Sequence, residues 1–191
     1  MTTVVLMGPP GAGKGTHAEL LAGKLGVPVV STGDIFRAQV AAGTELGRTA
    51  QGYLDAGEYV PDEVTNAMVC DRLAADDARP GFLLDGYPRT LDQAAVLDKL
   101  LTDQGRVLDA AVVLLVDQED LVRRLLHRAK IEHRSDDTED VIRRRLQVYA
   151  DQTVPLVSLY GERDLLHEVD GTGDVAEVRE RILAVACAIQ P

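Results

Sequence analysis

A glycine-rich segment near the start of the chain carries the residue types that bind phosphate groups. The segment Gly8-Pro-Pro-Gly-Ala-Gly-Lys14-Gly-Thr16 matches the pattern G-x-x-x-x-G-K-[ST], apart from one glycine inserted before the hydroxyl residue. Glycines let backbone N–H groups turn inward around phosphate oxygens, Lys14 adds a positive charge, and a following helix adds the dipole of its N-terminus. The Thr16 hydroxyl could face a metal ion. The motif predicts a nucleoside triphosphate site, and it leaves motor, switch, transporter and kinase functions open.

Two arginines further along the chain are candidates for binding a second phosphate group. Arg37 ends the segment Ser31-Thr-Gly-Asp-Ile-Phe-Arg37, and Arg89 lies in Leu84-Asp-Gly-Tyr-Pro-Arg89-Thr. A guanidinium offers a planar, bidentate fork that fits phosphate oxygens, and the alternative role for each arginine is a surface salt bridge. Asp85 ends an apolar run, as a Walker-B-type carboxylate does, with a helix cap or a turn as its alternative role.

The elements that must position these residues alternate along the chain. Short aliphatic runs predict parallel strands buried on both faces, at Val4–Met7, Val27–Val30, Phe82–Leu84, Ala110–Val116 and Leu165–Val169. Apolar residues at helical spacing lie between or after them, as in the sets Ala18, Leu21, Ala22 and Leu25; Val64, Met68, Val69 and Leu73; and Val175, Val178, Ile182 and Val185. Asp174 is the predicted N-cap of the last helix. This alternation predicts an α/β fold with a central parallel five-stranded sheet flanked by helices.

Two segments do not fit the alternation. Residues 31–60 have a helical pattern without a strand, and residues 128–138 are polar, charged and almost without apolar side chains. At 191 residues the chain is long enough for one well-buried core. We therefore expect one domain over 1–191, with a core of 1–30, 61–127 and 139–191 and two movable inserts.

Composition and charge exclude several classes of function. The chain is 46% hydrophobic and 27% charged, and no apolar run approaches the roughly 20 residues of a membrane span. A net charge of -11 argues against non-specific binding of nucleic acid. Yet basic residues cluster between Arg123 and Arg145, which indicates a local anionic ligand.

The two cysteines and the N-terminus bear on location. Cys70 and Cys187 lie among apolar residues without C-x-x-C spacing, so we expect both to be buried packing residues. The first apolar run begins at Thr3 and leads directly into the glycine loop, which leaves no room for a signal peptide. We therefore expect a cytoplasmic location. A monomer is expected because no exposed apolar heptad is present.

Taken together, these motifs resemble the adenylate kinase family of nucleoside monophosphate kinases, in its short-lid form. The resemblance extends from Gly8 to the turn Gly171-Thr-Gly173. It implies a single kinase domain of the P-loop NTPase fold, in which 31–60 is the NMP-binding insert and 128–138 a short lid. It also implies Mg²⁺-dependent, reversible phosphoryl transfer, ATP + AMP = 2 ADP, serving nucleotide homeostasis and purine salvage.

The resemblance further implies which positions contact each nucleotide. ATP would contact Gly11, Ala12, Gly13, Lys14, Gly15, Thr16, Arg124, Arg128 and Gly173. AMP would contact Thr32, Arg37, Glu58, Tyr59, Val60, Gly86, Tyr87, Pro88, Arg89, Gln93, Arg134 and Arg145, with Thr32 and Gln93 at the adenine. The catalytic set would be Lys14, Asp85, Arg89, Arg128, Arg134 and Arg145. Thr16 and Asp85 would hold Mg²⁺, partly through water.

The lid of this chain departs from that of longer relatives, in which four cysteines sometimes bind zinc. Cys70 and Cys187 are the only cysteines and lie outside 128–138, so no structural zinc is expected. The short lid would instead rely on charge pairs, with Asp136 and Asp137 orienting Arg134. His133 is expected to face solvent.

Two alternatives to the adenylate kinase reaction remain open. Related uridylate and cytidylate kinases typically carry alanine where this chain has Thr32, so the preference for AMP depends on that residue. A nucleotide-binding regulatory module that has lost catalysis is the second alternative.

No general base is evident, and none is needed for an AMP phosphate whose second pKa is about 6. Positioning and charge neutralisation are what the reaction requires.

Overall fold

Five apolar segments form a parallel sheet in the computed structural model of the chain, which describes residues 2–132 and 138–189. Within these ranges the strands are β1 (Thr2–Met7), β2 (Val29–Ser31), β3 (Gly81–Asp85), β4 (Ala110–Leu115) and β5 (Leu166–Asp170). Their spatial order is β2-β3-β1-β4-β5, and every neighbouring pair is parallel. The predicted P-loop NTPase fold with a five-stranded sheet is confirmed.

Helices connect and cover the strands. In the described ranges they are α1 (Lys14–Leu25), α2 (Thr32–Ala41), α3 (Glu45–Ala56), α4 (Asp62–Leu73), α5 (Leu91–Asp103), α6 (Gln118–Glu132), α7 (Glu139–Val148), α8 (Val154–Glu162) and α9 (Val175–Ile189). A 3₁₀ turn spans Asp76–Ala78, and a π-helical turn, Tyr149–Thr153, joins α7 to α8. Among the described residues, no helix is both long and apolar enough to cross a membrane.

Strand side chains alternate between two apolar layers. Val4 and Leu6 of β1 pack with α1 and α9 on one face, whereas Val5 and Met7 pack with α4, α5 and α8 on the other. All four side chains are at most 3% exposed. Because both faces of the sheet are covered, the strands are continuous apolar runs instead of alternating apolar and polar residues.

The segment 31–60 folds largely on itself. After Ser31 it consists of α2 and α3, and Phe36, Ala50 and Val60 form a small apolar cluster separate from the two layers of the sheet. The second predicted insert begins within a helix, since α6 continues to Glu132. His133, Arg134, Asp136 and Asp137 lie outside the described residues. The insert boundaries therefore stay predictions.

Four residues test the sequence patterns of the last helix and of the cysteines. The predicted cap is confirmed, because Asp174 Oδ1 accepts from Glu177 N at 2.9 Å and Glu177 Oε2 accepts from Asp174 N at 3.0 Å. Val175 is 62% exposed, because it begins α9 at the edge of a cleft. The expectation for Cys187 is wrong: it is exposed, one residue beyond the inward face that Ala186 occupies. Cys70 is half-buried.

Candidate active site

A cleft of about 900 Å³ opens where β1 and β3 end. Ligands of open α/β sheets commonly bind beyond the carboxyl ends of the strands, because the loops from several strands meet there. The predicted residues that line this cleft are Gly11, Gly13, Lys14, Gly15, Thr16, Arg37, Asp85, Gly86, Arg89, Arg124, Arg128, Arg145 and Gly173. Segments from most of the chain length therefore contribute to one space.

The glycine loop wraps the start of α1. Gly8, Gly11 and Gly13 have φ values of 145°, 84° and 93°, a backbone conformation that residues other than glycine rarely adopt. Lys14 Nζ donates to the carbonyl oxygens of Gly8 and Pro9 at 2.7 and 3.0 Å. The ammonium is thus held inside the curve of the loop, beside the N-terminus of a helix. Such an arrangement binds anions.

The burial of the Lys14 ammonium and the charges around it favour a bound anion. Its pKa is lowered to about 8, mainly because the surrounding protein desolvates the charge; the positive charges of Arg89, Arg145 and Arg128 act in the same direction, whereas the Asp85 carboxylate opposes them. A lowered pKa means that the charged form is costly without a partner. Several cations facing one space therefore favour a strongly negative ligand such as a polyphosphate.

Hard oxygen donors for a metal ion lie beside the loop. Asp85 ends β3 and Thr16 lies in the first turn of α1, and both line the cleft. No group of three or more His, Cys, Asp or Glu side chains suited to a metal occurs among residues 2–132 and 138–189. One carboxylate and one hydroxyl fit a Mg²⁺ ion that keeps water and nucleotide phosphates as its other ligands.

Next to the glycine loop, the cleft is bounded by α6 and by the turn before α9. Arg124 Nη2 donates to the carbonyl of Gly171 at 3.0 Å, which ties α6 to that turn. His17 faces the same region, 5% exposed, and burial together with the charge of Arg124 lowers its pKa. Ala12 packs its side chain into the core, so any ligand contact there would come from its backbone.

On the opposite wall, Arg89 is fixed by several partners. Its backbone N donates to Gln93 Oε1 at 2.8 Å, and its side-chain Nε donates to the carbonyl of Gly86 at 2.7 Å. The guanidinium lies over the ring of Tyr59, 4.9 Å from the ring centroid. Neither of the two hydrogen bonds uses an Nη group of Arg89, and the residue lines the cleft. The arrangement can present a guanidinium fork to an anion.

The two residues predicted to contact adenine are buried beside this wall and do not line the described cleft. Thr32 Oγ1 donates to the carbonyl of Gly86 at 2.9 Å. Gln93 Nε2 donates to Asp62 Oδ1 at 2.6 Å, while its oxygen accepts from Arg89. Because an amide has two N–H donors, the Gln93 amide can make further bonds. The adenine contacts stay predictions.

Other predicted positions are distributed around the cleft. Arg37 lines it and pairs with Asp34 at 2.5 Å. Tyr87 is buried, and its hydroxyl donates to Asn66 Oδ1 at 2.7 Å. Pro88 and Tyr59 line a smaller cavity next to the cleft, whereas Val60 is in the cluster of the insert. The roles of these residues stay predictions.

Arg123, Arg143 and Arg144 belong to the basic cluster but not to the predicted nucleotide contacts. The side chains of Arg123 and Arg143 are 73% and 65% exposed, and each pairs with an acid on its own helix. Arg144 differs: its Nε lies 2.5 Å from Glu58 Oε1, so it joins α7 to the end of the 31–60 segment. No periodicity signals a pair of residues 86 positions apart.

Sequence reasoning missed further residues around the cleft. Residues that line it without having been predicted include His17, Ser31, Asp34, Leu125, His127 and Asp174. His17 had a usable signal, because it follows Thr16 directly on the helix after the phosphate motif. The smaller cavity adds Tyr149 and Thr153, from the π-helical turn. Nothing in the local pattern marked that turn.

Comparison with known proteins agrees with this geometry. A family model described as adenylate kinase matches residues 6–165. The adenylate kinase of Thermobifida fusca (strain YX) is 61% identical over 180 residues, which are 94% of this chain and 95% of that protein. Those of Nocardioides sp. and Kocuria rhizophila are 59% and 55% identical, over 94% and 96% of this chain and 94% and 98% of their own lengths. The chain therefore belongs to the adenylate kinase family.

Proposed function

We propose that this chain catalyses reversible, Mg²⁺-dependent phosphoryl transfer between ATP and AMP, giving two ADP. The observation that carries the proposal is the convergence of Lys14, Arg37, Arg89, Arg128 and Arg145 on one cleft at the ends of β1 and β3. A single nucleoside triphosphate would contact only some of these positively charged side chains. A second phosphate-bearing ligand on the opposite wall would contact the others.

The donor lies on the phosphate-loop side. Backbone N–H groups of the loop and the Lys14 ammonium bind the β- and γ-phosphates of ATP, with the helix dipole of α1 behind them. Arg124 and the turn at Gly173 flank the adenosine. Asp85 and Thr16 would hold Mg²⁺, partly through water, and the ion would supply neutralisation of phosphate charge.

The acceptor lies on the arginine side. Arg37 and Arg89 bind the AMP phosphate and aim one of its oxygens at the γ-phosphorus. That phosphate is already ionised at neutral pH, so no side chain has to remove a proton. The reaction consists of bringing two polyanions into line and neutralising the charge on the transferring group, which guanidinium groups do without reorganising solvent.

Arg128, Arg134 and Arg145 complete the charge around the transferring group. Arg128 and Arg134 belong to the predicted lid, and Arg145 to α7 behind it. Closure of the lid and of the 31–60 insert would exclude water, which otherwise competes with AMP for the phosphoryl group. We propose that Asp136 and Asp137 orient the lid arginines.

Formation of ATP and AMP from ADP alone tests the proposal. The purified chain should disproportionate ADP when Mg²⁺ is present and lose the activity when the metal is chelated. Calorimetric titration should reveal two nucleotide sites. An inactive chain that binds one nucleotide would contradict the proposal and favour the regulatory-module alternative.

A coupled assay with AMP, CMP and UMP tests the acceptor base. AMP should give the highest kcat/KM, and a faster reaction with CMP or UMP would contradict the assignment. The relatives named above are all adenylate kinases, so the comparisons give the UMP/CMP alternative no support. The cytoplasmic location and the monomeric state stay predictions.

A further inference from the structure

Thr153 is a buried hydroxyl residue behind the arginine wall of the cleft. It is the last residue of the π-helical turn, and 4% of its surface is exposed. Turns of this kind are rare and are frequently found at functional sites. Its neighbour at the other end of the turn, Tyr149, lines with it a cavity of about 50 Å³ that also touches Arg89 and Arg145. The turn thus directly adjoins the proposed phosphate-binding arginines.

The hydroxyl of Thr153 joins two segments that are far apart in the chain. Its Oγ1 donates to the carbonyl oxygen of Arg89 at 2.8 Å, and it lies 2.8 Å from the hydroxyl of Tyr59. A threonine hydroxyl carries a single proton. Because the Arg89 carbonyl takes that proton, Tyr59 must be the donor of the second bond. A directed chain therefore runs from Tyr59 through Thr153 to the backbone of Arg89.

Tyr59 also contacts Arg89 directly, and the two contacts act together. The ring lies below the guanidinium, where its π face attracts the positive charge. The hydroxyl of the same ring is anchored on Thr153, which fixes the position of the ring. Since Thr153 also anchors the Arg89 carbonyl, one hydroxyl fixes both the backbone of the arginine and the surface on which its side chain rests.

We propose that Thr153 is a positioning residue for phosphoryl transfer, whose hydroxyl couples Tyr59 of the 31–60 segment to Arg89 and thereby orients the Arg89 guanidinium. The inference rests on the proposed function, in which Arg89 binds the AMP phosphate. Tyr59 belongs to the segment expected to close over AMP. The hydrogen bonds of Thr153 therefore connect the placement of that segment to the placement of the arginine.

The direct test removes the Thr153 hydroxyl and keeps the shape of the side chain. Thr153→Val should lower kcat about tenfold and raise KM for AMP, because a displaced guanidinium loses part of its transition-state contact. KM for ATP should not change. Thr153→Ser retains the hydroxyl and should restore most of the activity. Thr102→Val is the control, since that exposed residue of α5 donates its hydroxyl to the Asp98 carbonyl at 2.8 Å away from the cleft, and its kinetics should equal those of the wild type.

A double-mutant cycle tests whether the coupling runs through Thr153. Tyr59→Phe removes only the ring hydroxyl and should cause a smaller loss of kcat than Thr153→Val. The double variant should match Thr153→Val alone, because the Tyr59 hydroxyl acts through the missing partner. Losses that multiply would overturn the proposal. If Thr153→Val does not fold, Tyr59→Phe decides, and an unchanged kcat and KM in that variant would overturn it.

The outcomes separate this inference from the proposed function. A Thr153→Val enzyme with a lower melting temperature and wild-type kcat and KM would show that the hydroxyl only stabilises the fold. In that case the inference fails while wild-type ADP disproportionation still supports the proposed function. If the wild type itself fails to disproportionate ADP, the proposed function fails and the inference fails with it.

Discussion

The two walls of the cleft are built from different kinds of contact. On the phosphate-loop wall, Lys14 is held by carbonyl groups five and six residues earlier in the chain. On the arginine wall, the hydrogen bonds that fix Arg89 and Tyr59 through Thr153 join residues 64 and 94 positions apart. The contacts of Lys14 are local to the backbone of the loop. The contacts through Thr153, which add to the local hydrogen bonds of Arg89 with Gly86 and Gln93, form only after distant segments have packed together.

This contrast indicates where each wall is vulnerable. A local loop on a buried sheet keeps its shape regardless of small shifts elsewhere, so its contribution varies mainly with the charge of Lys14. The arginine wall depends on the position of the 31–60 segment relative to α7 and the π-helical turn. Its contribution should therefore vary with packing and with long-range hydrogen bonds as well as with charge.

Removing the central guanidinium of the arginine wall should have the largest effect. We expect Arg89→Ala to lower kcat about a hundredfold or more with the fold intact, by comparison with arginines that stabilise transferring phosphoryl groups. Steady-state kinetics and a melting curve measure the two properties. Arg79→Ala is a suitable control, because that side chain is 75% exposed and pairs with Asp76 outside the cleft. Near-normal turnover of Arg89→Ala would refute the role.

A change of pH should distinguish the loop wall from the arginine wall. The pKa of Lys14 in the nucleotide-free protein is lowered to about 8, so its ammonium is charged below that pH and neutral above it. We expect kcat/KM for ATP to fall as pH rises through about 8, by up to tenfold per pH unit. Bound ATP raises this pKa, so kcat/KM for AMP at saturating ATP should stay level in that range. Equal pH profiles for both substrates would contradict the contrast between the phosphate-loop wall and the arginine wall.

A methyl group at Gly57 should disturb the arginine wall through packing alone. This residue has a φ of 72°, and a Cβ there would lie 2.9 Å from the carbonyl oxygen of Val141 and 3.1 Å from Cγ of Arg145. We expect Gly57→Ala to displace α3 from α7 and to lower kcat by up to about tenfold. Gly43→Ala is a matched control, because Gly43 has a φ of 64° with no atom within 4 Å of the added Cβ.

Both glycine variants carry similar backbone strain, and the contact with Val141 is added only at Gly57, so the melting temperature of Gly57→Ala should fall further than that of Gly43→Ala. A difference in kcat between them then reports the contact with α7. Equal kinetics in the two variants would show that the close approach at Gly57 does not matter for Arg145.

The ion pair between Glu58 and Arg144 should have the smallest effect. The side chains are 34% and 50% exposed, so solvent screens the pair and it contributes little to stability. We expect Glu58→Gln to raise KM for AMP modestly, and the effect should fade at high salt. Combining Glu58→Arg with Arg144→Glu should restore the wild-type value. If Arg143→Gln raised KM for AMP as much as Arg144→Gln does, the loss of positive charge on α7, and not the loss of this ion pair, would be responsible.

Much of the fold followed from local patterns. The five strands and the helical faces appeared in the sequence because burial on both faces of a sheet, or on one face of a helix, requires apolar residues at a fixed spacing. Boundaries were less certain: β2 begins at Val29 instead of Val27, after Pro28, which has no N–H to donate. Cys187 shows the limit of such patterns, because one step along a helix turns a side chain from core to solvent.

By itself the sequence determined the phosphate loop, the parallel sheet and the family, since each of these is written in contiguous or periodic residues. Tertiary structure alone decided that Arg144 meets Glu58 and that Thr153 stands between Tyr59 and Arg89. The physical reason is that a hydrogen bond or ion pair between distant residues depends on how whole elements pack. No spacing within either segment encodes that packing.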